Sequence, residues 1–152
     1  MEWYVKTFNE LSNDELYAIL KLRMDIFVME QNCMYSELDN YDQTSFHYFL
    51  KDGHEIVANV RILPAETKFP EASIGRVVVN PKYRGNGYGQ QIMRKSIDYM
   101  TTVLAEPCIK IQGQKHLERF YTELGFRRTS ESYLEDGIPH IDMVWVRGES
   151  FL

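Results

Sequence analysis

One stretch of the sequence decides the fold, and it runs Val77-Val78-Val79-Asn80-Pro81-Lys82-Tyr83-Arg84-Gly85-Asn86-Gly87-Tyr88-Gly89. The three valines are typical of a strand covered on both faces, and the residues from Tyr88 onward have the apolar spacing of a long helix. Between the two elements, alternating glycines let the backbone turn tightly and approach a ligand closely. The start of the helix offers unpaired N–H groups and the positive end of a dipole, which suit a phosphate, and Arg84 and Lys82 add positive charge. The segment therefore predicts a strand, an anion-binding loop and a helix. A turn that only needs left-handed glycines is the structural alternative.

Two common phosphate-binding motifs do not fit this loop. A P-loop requires Gly-Lys-Ser/Thr after four variable residues, whereas Gly89 is followed by two glutamines. The dinucleotide fingerprint requires Gly-x-Gly-x-x-Gly, and here the third glycine comes one residue early. An acidic residue about 20 positions further on, at the end of a strand, is also missing.

The rest of the chain alternates between strand and helix patterns. The predicted strands cover residues 3–8, 45–50, 55–63, 72–79, 108–111, 126–133 and 140–146. The predicted helices cover residues 13 to about 29, 88 to about 104, and 115–124. Ser12 and Glu15 form a capping box for the first helix, and Asp52-Gly53 marks a hairpin. This order predicts an α/β (α+β) fold with a mixed sheet, as a single domain over residues 1–152.

Composition and charge limit the classes of function. The chain has 152 residues, 44% of them apolar, and a formal charge of -5, which argues against disorder and against non-specific nucleic-acid binding. No apolar run approaches the ~18 residues of a membrane span, and Met1-Glu2-Trp3 does not begin a signal peptide. We therefore expect a cytoplasmic protein with no membrane and no nucleic-acid partner. Cys33 and Cys108 are too far apart in sequence for a metal-type pair, so we expect reduced thiols and no metal.

Two motifs resemble one enzyme family. Arg84-Gly85-Asn86-Gly87-Tyr88-Gly89 resembles the Gln/Arg-x-x-Gly-x-Gly/Ala signature of the GNAT superfamily of acyl-CoA-dependent N-acetyltransferases. Phe120-Tyr121-Thr122-Glu123-Leu124-Gly125-Phe126 resembles the Phe-Tyr-x-x-x-Gly-Phe segment of the same family, and one helix and one strand separate the two motifs, as in that family. Further stretches resemble the ElaA-like branch of this family, namely residues 23–33, Asp39, Asp42, His47, residues 114–117 and residues 136–140. The resemblance therefore covers nearly the whole chain.

The resemblance implies a splayed central sheet flanked by helices, with acetyl-CoA lying between the strands at 72–79 and 108–112. In the family, backbone amides of the glycine loop hold the pyrophosphate and the preceding strand contacts the pantetheine arm. The residues that the resemblance assigns to the coenzyme are Val77, Val78, Val79, Arg84, Gly85, Asn86, Gly87, Tyr88, Gly89, Gln112, His116, Phe120 and Tyr121. Many relatives dimerise, so a homodimer is a further expectation.

Acetyl transfer to an amine requires a neutral amine, a stabilised carbonyl oxygen and a proton for the leaving thiolate. Tyr121 matches the family position whose phenol lies near the coenzyme sulfur, and its apolar helix face leaves a purely structural role open. For the oxyanion we expect a backbone N–H near Val78 or Val79. Many relatives place a carboxylate on the strand before the loop, but residues 73–78 contain none. The base is therefore His140, Glu30, His47, His116 or a water.

The acceptor pocket is assigned from polar residues in apolar surroundings. Arg23 and Glu30 fall on one apolar face of the first helix, where each has to pair or contact a ligand, since unpaired buried charge is costly. A snorkelling arginine and a helix-end glutamate are the structural alternative. Arg76 interrupts an apolar strand, where it steers an acidic substrate, pairs with a carboxylate or faces outward. The substrate-binding candidates are Arg23, Phe27, Glu30, Gln31, His47, Arg76 and His140. Glu37, Asp39 and Asp42 are candidates for an acidic rim that attracts a cationic amine, or are solvated loop residues.

Together these features predict an enzyme that transfers acetyl from acetyl-CoA to a primary amine of a small molecule or peptide, directly, in a ternary complex. A non-catalytic acyl-CoA sensor of the same fold and an enzyme for a longer acyl-CoA are the alternatives.

Overall fold

The computed structural model describes residues 1–32 and 36–148, and within these ranges the chain forms one sheet of eight strands. The strands are β1 (Glu2–Thr7), β2 (Phe46–Asp52), β3 (Glu55–Leu63), β4 (Ala72–Val79), β5 (Cys108–Gln114), β6 (Arg127–Arg128), β7 (Tyr133–Glu135) and β8 (Ile138–Val146). Their order is β1-β2-β3-β4-β5-β8-β6, and β7 also pairs with β8. Only the β4–β5 pair is parallel among these pairings, so the expected mixed sheet is confirmed.

The helices pack on both faces of the sheet. They are α1 (Asn13–Arg23), which continues as a π-helix over Met24–Glu30, then α2 (Tyr88–Thr102) and α3 (Glu118–Glu123). The predicted capping box starts α1, because Ser12 and Glu15 exchange backbone-to-side-chain hydrogen bonds of 2.9 and 3.0 Å. None of the helices in the described ranges is long and apolar enough to cross a membrane.

Two apolar cores lie on opposite faces of the sheet. The α2 and α3 side buries residues such as Val60, Ile62, Met93 and Met100, all fully inaccessible. The α1 side buries a smaller set, namely Leu11, Ile19, Leu22, Ile26, Phe49, Ile56 and Val78. Each face of the sheet therefore has its own helical cover.

A bulge in β4 changes which side chains face which core. Asn59 pairs with Val78 and Arg61 with Gly75, so one residue of β3 lies opposite two residues of β4. Arg76 lies in this bulge with a φ of +52°, in the left-handed region. The extra residue places Ile74 in the α2-side core and Val78 in the α1-side core, although their even spacing would put them on one face of a regular strand.

β4 and β5 separate soon after they meet. Their ladder joins only Ala72 to Ile109 and Ser73 to Lys110, so both strands continue without pairing to each other. Each keeps its antiparallel partner on the far side, β3 for β4 and β8 for β5. The splayed sheet implied by the family resemblance is present.

Some element boundaries differ from the prediction. β5 extends through Gln114, because Gln112 and Gln114 pair with β8 while their side chains face an opening instead of a core. The predicted strand 126–133 consists of β6 and β7 with unpaired residues between them, and the helix predicted from residue 115 begins as a 3₁₀ turn over Lys115–Leu117. In the π-helix, the N–H of Gln31 donates to the carbonyl of Ile26 at 3.1 Å, a spacing that breaks the face pattern used to place Arg23 with Glu30.

Candidate active site

A cavity of about 800 Å³ opens where β4 and β5 separate. Its walls come from β4, from β5, from the end of the first helix, from the β3–β4 loop and from the β7–β8 hairpin. Of the residues predicted for the site, those that line the cavity are Phe27, Glu30, Gln31, Arg76, Val77, Val78, Val79, Arg84, Gln112, His116, Tyr121 and His140.

The glycine loop folds as a tight left-handed turn beside this cavity. Gly85 and Gly87 have φ values of +83° and +78°, which a side chain rarely adopts, and Gly87 directly precedes α2. The Asn86 side chain donates to the carbonyl of Tyr83 at 2.9 Å and closes the turn. The first amides of α2 have no partner within the helix and lie beside these glycines. This geometry suits a phosphate group, and the loop residues other than Arg84 lie outside the cavity itself.

Arg84 ties the glycine loop to the end of the first helix. Its guanidinium donates to both carboxylate oxygens of Glu30, at 2.9 and 3.2 Å, and its Nε donates to the carbonyl of Val79 at 3.2 Å. Lys82 instead pairs with Glu55 at 3.0 Å and does not line the cavity. Arg84 is therefore the basic side chain of the loop that faces the opening.

A second bridge crosses the opening next to the first. The side-chain amide of Gln114, at the end of β5, donates to that of Gln31 at 3.1 Å. Glu30 and Gln31 thus join the end of the first helix to both strands that border the opening, and Phe27 lines the same wall.

Tyr121 belongs to the core and to the cavity wall at the same time. Its side chain, on α3, is only 7% exposed and packs edge-to-face with Phe120 and Phe126, at centroid distances of 5.2 and 6.1 Å. The ring lies on Gly113, where an added Cβ would come within 2.8 Å of Cε2. Burial raises the pKa of Tyr121 to about 12, so its phenol stays protonated at neutral pH. Phe120 supports the Tyr121 ring from outside the cavity.

His140 faces the cavity from β8. Its Nδ1 lies 2.7 Å from the carbonyl of Ile138, so Nδ1 carries a proton and donates it to this oxygen. Nε2 lies 4.0 Å from a carboxylate oxygen of Glu135, and the ring of Tyr133 stacks on the imidazole at 6.2 Å. The imidazole of His140 is therefore held in place through Nδ1, and its Nε2 is directed toward the cavity side that carries Glu135.

Tyr121 and His140 reach the opening from opposite faces of the sheet. His140 is the cross-strand partner of Gln114, so these two side chains share a face, together with Gln112 two residues earlier. The Tyr121 ring packs on Gly113, between those glutamines, from the α3 side. The two candidate side chains therefore flank the gap between β4 and β5 on different faces of the sheet.

Arg23 and His47 do not line the cavity, which corrects their assignment to the substrate pocket. Arg23 is fully buried, with its Nε 2.6 Å from Glu37 and its Nη1 2.6 Å from Asp42. His47 is fully buried as well, and its Nε2 lies 3.0 Å from the carbonyl of Asp42. Burial lowers the pKa of His47. Both residues stabilise the fold of the loop that holds these carboxylates, and His47 is too enclosed to act as the base.

The acidic rim expected from Glu37, Asp39 and Asp42 is also wrong, because arginines neutralise all three. Arg61, on β3, donates to both oxygens of Asp39 at 2.7 and 2.8 Å, and Arg76 donates to Glu37 at 2.8 Å. Arg23 pairs with Glu37 and Asp42. The three arginines and the three carboxylates therefore form one cluster, which we call the ionic cluster; it consists of Arg23, Arg61, Arg76, Glu37, Asp39 and Asp42. Of the options for Arg76, pairing with a carboxylate is the one observed.

Sequence reasoning missed Arg61 and Lys68, which also line the cavity. Arg61 could have been found from the sequence, because it interrupts the apolar run Ile56–Leu63. It follows Asn59 by two residues, so both polar side chains lie on the same face of β3. Lys68 lies in a loop and left no comparable signal. Glu135 and Asp136 line the cavity as well, although the sequence suggested no site role for Glu135 and included Asp136 only in the family resemblance.

Comparison with known proteins identifies the family. Residues 13–147 match the family described as acetyltransferase (GNAT) domain. The chain belongs to the GNAT acetyltransferase family. Among characterised sequences, this GNAT protein is 40% identical to ElaA from Escherichia coli strain K12 over 145 residues, which is 94% of this chain and 95% of ElaA. The expected ElaA-like branch is thereby confirmed.

Solved GNAT structures superpose closely. The crystal structure of an acyl-CoA N-acyltransferase from Pseudomonas aeruginosa matches with a TM-score of 0.91 at 34% identity, over 95% of this chain and 99% of that one. E. coli ElaA matches with a TM-score of 0.89 at 39% identity and the same coverage. A CoA-dependent acyl-homoserine lactone synthase solved with isopentyl-CoA matches with a TM-score of 0.78 at 17% identity, over 93% of this chain and 81% of that one, and so shares the fold. Membership in this family supports acyl transfer from coenzyme A to an amine.

Proposed function

We propose that this protein transfers an acetyl group from acetyl-CoA to the primary amine of a small molecule or peptide, directly, in a ternary complex. One observation carries the proposal. The gap between β4 and β5 is lined by Tyr121 from the α3 side and by the basic nitrogen of His140 from the other side. A donor and an acceptor can therefore meet in the gap without either displacing the other.

The residues present fit coenzyme A. Beyond Ser73, the edge of β4 that faces β5 makes no ladder hydrogen bonds, so its main-chain groups near Val77 are available to the amides of a pantetheine arm. The left-handed turn at Gly85 and Gly87, the amides of α2 and the Arg84 guanidinium suit the pyrophosphate. Acetyl-CoA supplies the thioester that makes the acetyl group transferable.

Protons are handled by two side chains in this proposal. His140 Nε2 accepts a proton from the amine, since its Nδ1 is occupied by the carbonyl of Ile138. The Tyr121 hydroxyl, kept protonated by burial, donates to the leaving thiolate. A backbone N–H near Val78 or Val79 stabilises the developing oxyanion. Glu30 is engaged by Arg84 and is a poorer base in this arrangement.

Release of free thiol from acetyl-CoA over a panel of amines tests the proposal. We expect Tyr121→Phe to lower kcat by about 10²-fold, because general acid catalysis contributes at least that much, with KM for acetyl-CoA nearly unchanged. Tyr17→Phe, an exposed tyrosine on α1, is the matched control and should leave both constants unchanged. Tight coenzyme binding without thiol release for any amine would instead indicate an acyl-CoA sensor.

The length of the acyl group is tested in the same assay. The acyl-homoserine lactone synthase that shares this fold was solved with isopentyl-CoA, so five-carbon chains fit within such a sheet. We expect acetyl-CoA to give a higher kcat/KM than butyryl- or isopentyl-CoA. The reverse order would replace acetyl by a longer acyl group in the proposal.

A further inference from the structure

The ammonium group of Lys68, which has no ion pair with any residue that the structure describes, lies on the wall of the cavity. The loop between β3 and β4 is folded back by hydrogen bonds from the Glu66 N–H to the carbonyl of Pro70 (3.1 Å) and from the Thr67 hydroxyl to the carbonyl of Pro64 (2.6 Å). This places Lys68 half-buried on the cavity wall. Its Nζ lies 5.5 Å from the ring centre of Phe69 and 6.0 Å from that of Tyr41. Within residues 1–32 and 36–148, Lys68 forms no hydrogen bond or ion pair.

The carboxylate of the ionic cluster nearest the cavity is already engaged. Asp39, the acid of the ionic cluster that lines this wall, is held by Arg61 at 2.7 and 2.8 Å. Burial and the guanidinium groups of Arg76 and Arg61 lower the pKa of Lys68, although the carboxylates of Glu135 and Asp39 oppose the shift. A partly dehydrated ammonium beside two guanidinium groups is unfavourable until an anion joins it. Among the described residues, Glu135 and Asp39 act on this ammonium without forming an ion pair with it, and a ligand carboxylate can supply the direct partner.

The β7–β8 hairpin has the complementary charge. Glu135 and Asp136, on the β7–β8 hairpin, line the cavity, and Glu135 lies 4.0 Å from the basic nitrogen of His140. An amine that approaches His140 for deprotonation therefore meets a negative wall. The cavity wall thus carries a positive group on the β3–β4 loop and negative groups on the hairpin, and His140 lies beside the hairpin carboxylate of Glu135.

We propose that the acceptor is an aminocarboxylic acid, of the size of a free amino acid, whose carboxylate pairs with Lys68 while its amine faces His140. This rests on the proposed function, because it assigns the substrate class of the same site. In the reaction, a C–N bond forms between the amine and the acetyl carbonyl carbon and the C–S bond of the thioester breaks. The ammonium form of the amine gives up two protons, one of which ends on the coenzyme thiol and the other in solvent. One ammonium matches one carboxylate, whereas a phosphate would leave negative charge uncompensated, since Arg61 and Arg76 are already paired.

Matched acceptor sets test the class. Each amino acid is compared with its carboxamide and with the amine that lacks the carboxyl group, using thiol release from acetyl-CoA. We expect kcat/KM of the acid to exceed that of its carboxamide by tenfold or more, on the order of a charge-assisted hydrogen bond. In Lys68→Met, KM of the acids rises by about the same factor while kcat at saturation is kept. Lys68→Arg restores the preference, and Lys21→Met, an exposed lysine paired with Asp25 on α1, leaves it unchanged.

A binding measurement separates this proposal from the proposed function. Calorimetry of the CoA-loaded protein with N-acetyl amino acids and with their carboxamides needs no turnover. Tighter binding of the acids that is lost in Lys68→Met supports the carboxylate site, even if no acceptor is acetylated and the transferase proposal fails. The proposal would be overturned if acids and carboxamides bound equally well, or if Lys68→Met did not change the binding of the acids. A preference for phosphate-bearing amines would also overturn it. A thermal melt of each variant verifies folding, and Lys68→Arg provides the comparison if the methionine variant is unstable.

Discussion

At the scale of single residues, Gly113 determines where the Tyr121 hydroxyl lies. Any side chain at position 113 would meet the Tyr121 ring, since an added Cβ falls 2.8 Å from Cε2 and 3.2 Å from Cδ2. The ring is also held by Phe120 and Phe126. The position of the phenol is therefore set by the lack of a side chain on the neighbouring strand.

Gly113→Ala tests this relation. We expect kcat to fall by about tenfold or more, because a displacement near 1 Å of a positioned group is enough to lose that much. Steady-state kinetics in the wild-type and Tyr121→Phe backgrounds provides the control. If the glycine acts through the phenol, the alanine change costs little activity once the hydroxyl is gone. An equal loss in both backgrounds would contradict that explanation.

Sequence patterns predicted the residues whose position in the fold depends on their neighbours in sequence. They missed the residues whose position depends on contacts with distant parts of the chain. The strand at residues 72–79, the glycine loop and the start of α2 depend on periodicity and on glycine, and all three match the structure. Arg23 was placed by helical spacing, which the π-helix interrupts. Its partners Glu37 and Asp42 lie 14 and 19 positions away, and no spacing rule connects them. Lys68 became a candidate only when the loop that carries it was seen to line the cavity.

At the scale of secondary-structure elements, the end of the first helix is joined to both strands that border the cavity. Glu30 holds Arg84 of the glycine loop, and Gln31 holds Gln114 of β5. Both contacts involve groups that the proposed function assigns to substrate binding. A coenzyme phosphate at Arg84 would compete with the Glu30 carboxylate for the guanidinium charge.

Glu30→Gln is expected to tighten coenzyme binding, because Arg84 then meets the phosphate without a competing carboxylate. The side chains of Arg84 and Glu30 are each about two-fifths exposed. We therefore expect the Kd for CoA to fall several-fold at low salt, and this difference to shrink as ionic strength rises. Calorimetric titration with CoA measures it. Glu123→Gln, which removes the partner of Arg119 on α3, is the matched control. Weaker binding in Glu30→Gln would show that Glu30 assists the coenzyme.

At the scale of the whole molecule, the ionic cluster joins the loop after residue 36 to both β3 and β4. Arg23 lies at its centre without solvent access and contacts two carboxylates. Removing Arg23 leaves Glu37 and Asp42 partly uncompensated in a buried position. The bulged strand at Arg76 and the cavity wall both depend on this cluster.

Arg23→Met is therefore expected to destabilise the protein by about 3–5 kcal/mol, as for other broken buried ion pairs. Urea-induced unfolding gives the free energy directly. Arg119→Met, whose side chain is 92% exposed, should change it by less than about 0.5 kcal/mol. A small effect at Arg23 would mean that the two carboxylates take up protons or other partners at little cost.

The cluster also determines the pH dependence of stability. Despite burial, hydrogen bonds and charge from Arg61 lower the pKa of Asp39 to about 2, and Arg23 likewise lowers that of Asp42. Since both pKa values lie below those in the unfolded chain, their stabilisation is present above about pH 4 and is lost as pH falls toward 2. His47 adds a second loss of stability, which begins at a higher pH than the loss from the carboxylates. Its pKa is lowered by burial, so protonation below about pH 6.5 favours the unfolded chain.

Melting temperatures between pH 8 and pH 3 test these assignments. We expect a decline beginning near pH 6.5 that steepens below about pH 4. Compared with its own melting temperature at pH 8, the His47→Gln variant should show no decline near pH 6.5. It should keep the decline below about pH 4. A wild-type melting temperature that is flat down to pH 4 would contradict the assignment to His47.

The splayed strands also have a kinetic consequence. If the donor and the acceptor meet in the gap as proposed, both are bound at once, and neither product has to leave before the other substrate arrives. Initial-velocity plots at several fixed acceptor concentrations should therefore give intersecting lines. CoA should compete with acetyl-CoA, and the acetylated product should compete with the acceptor. Parallel lines would mean that the acetyl group rests on the protein between two half-reactions.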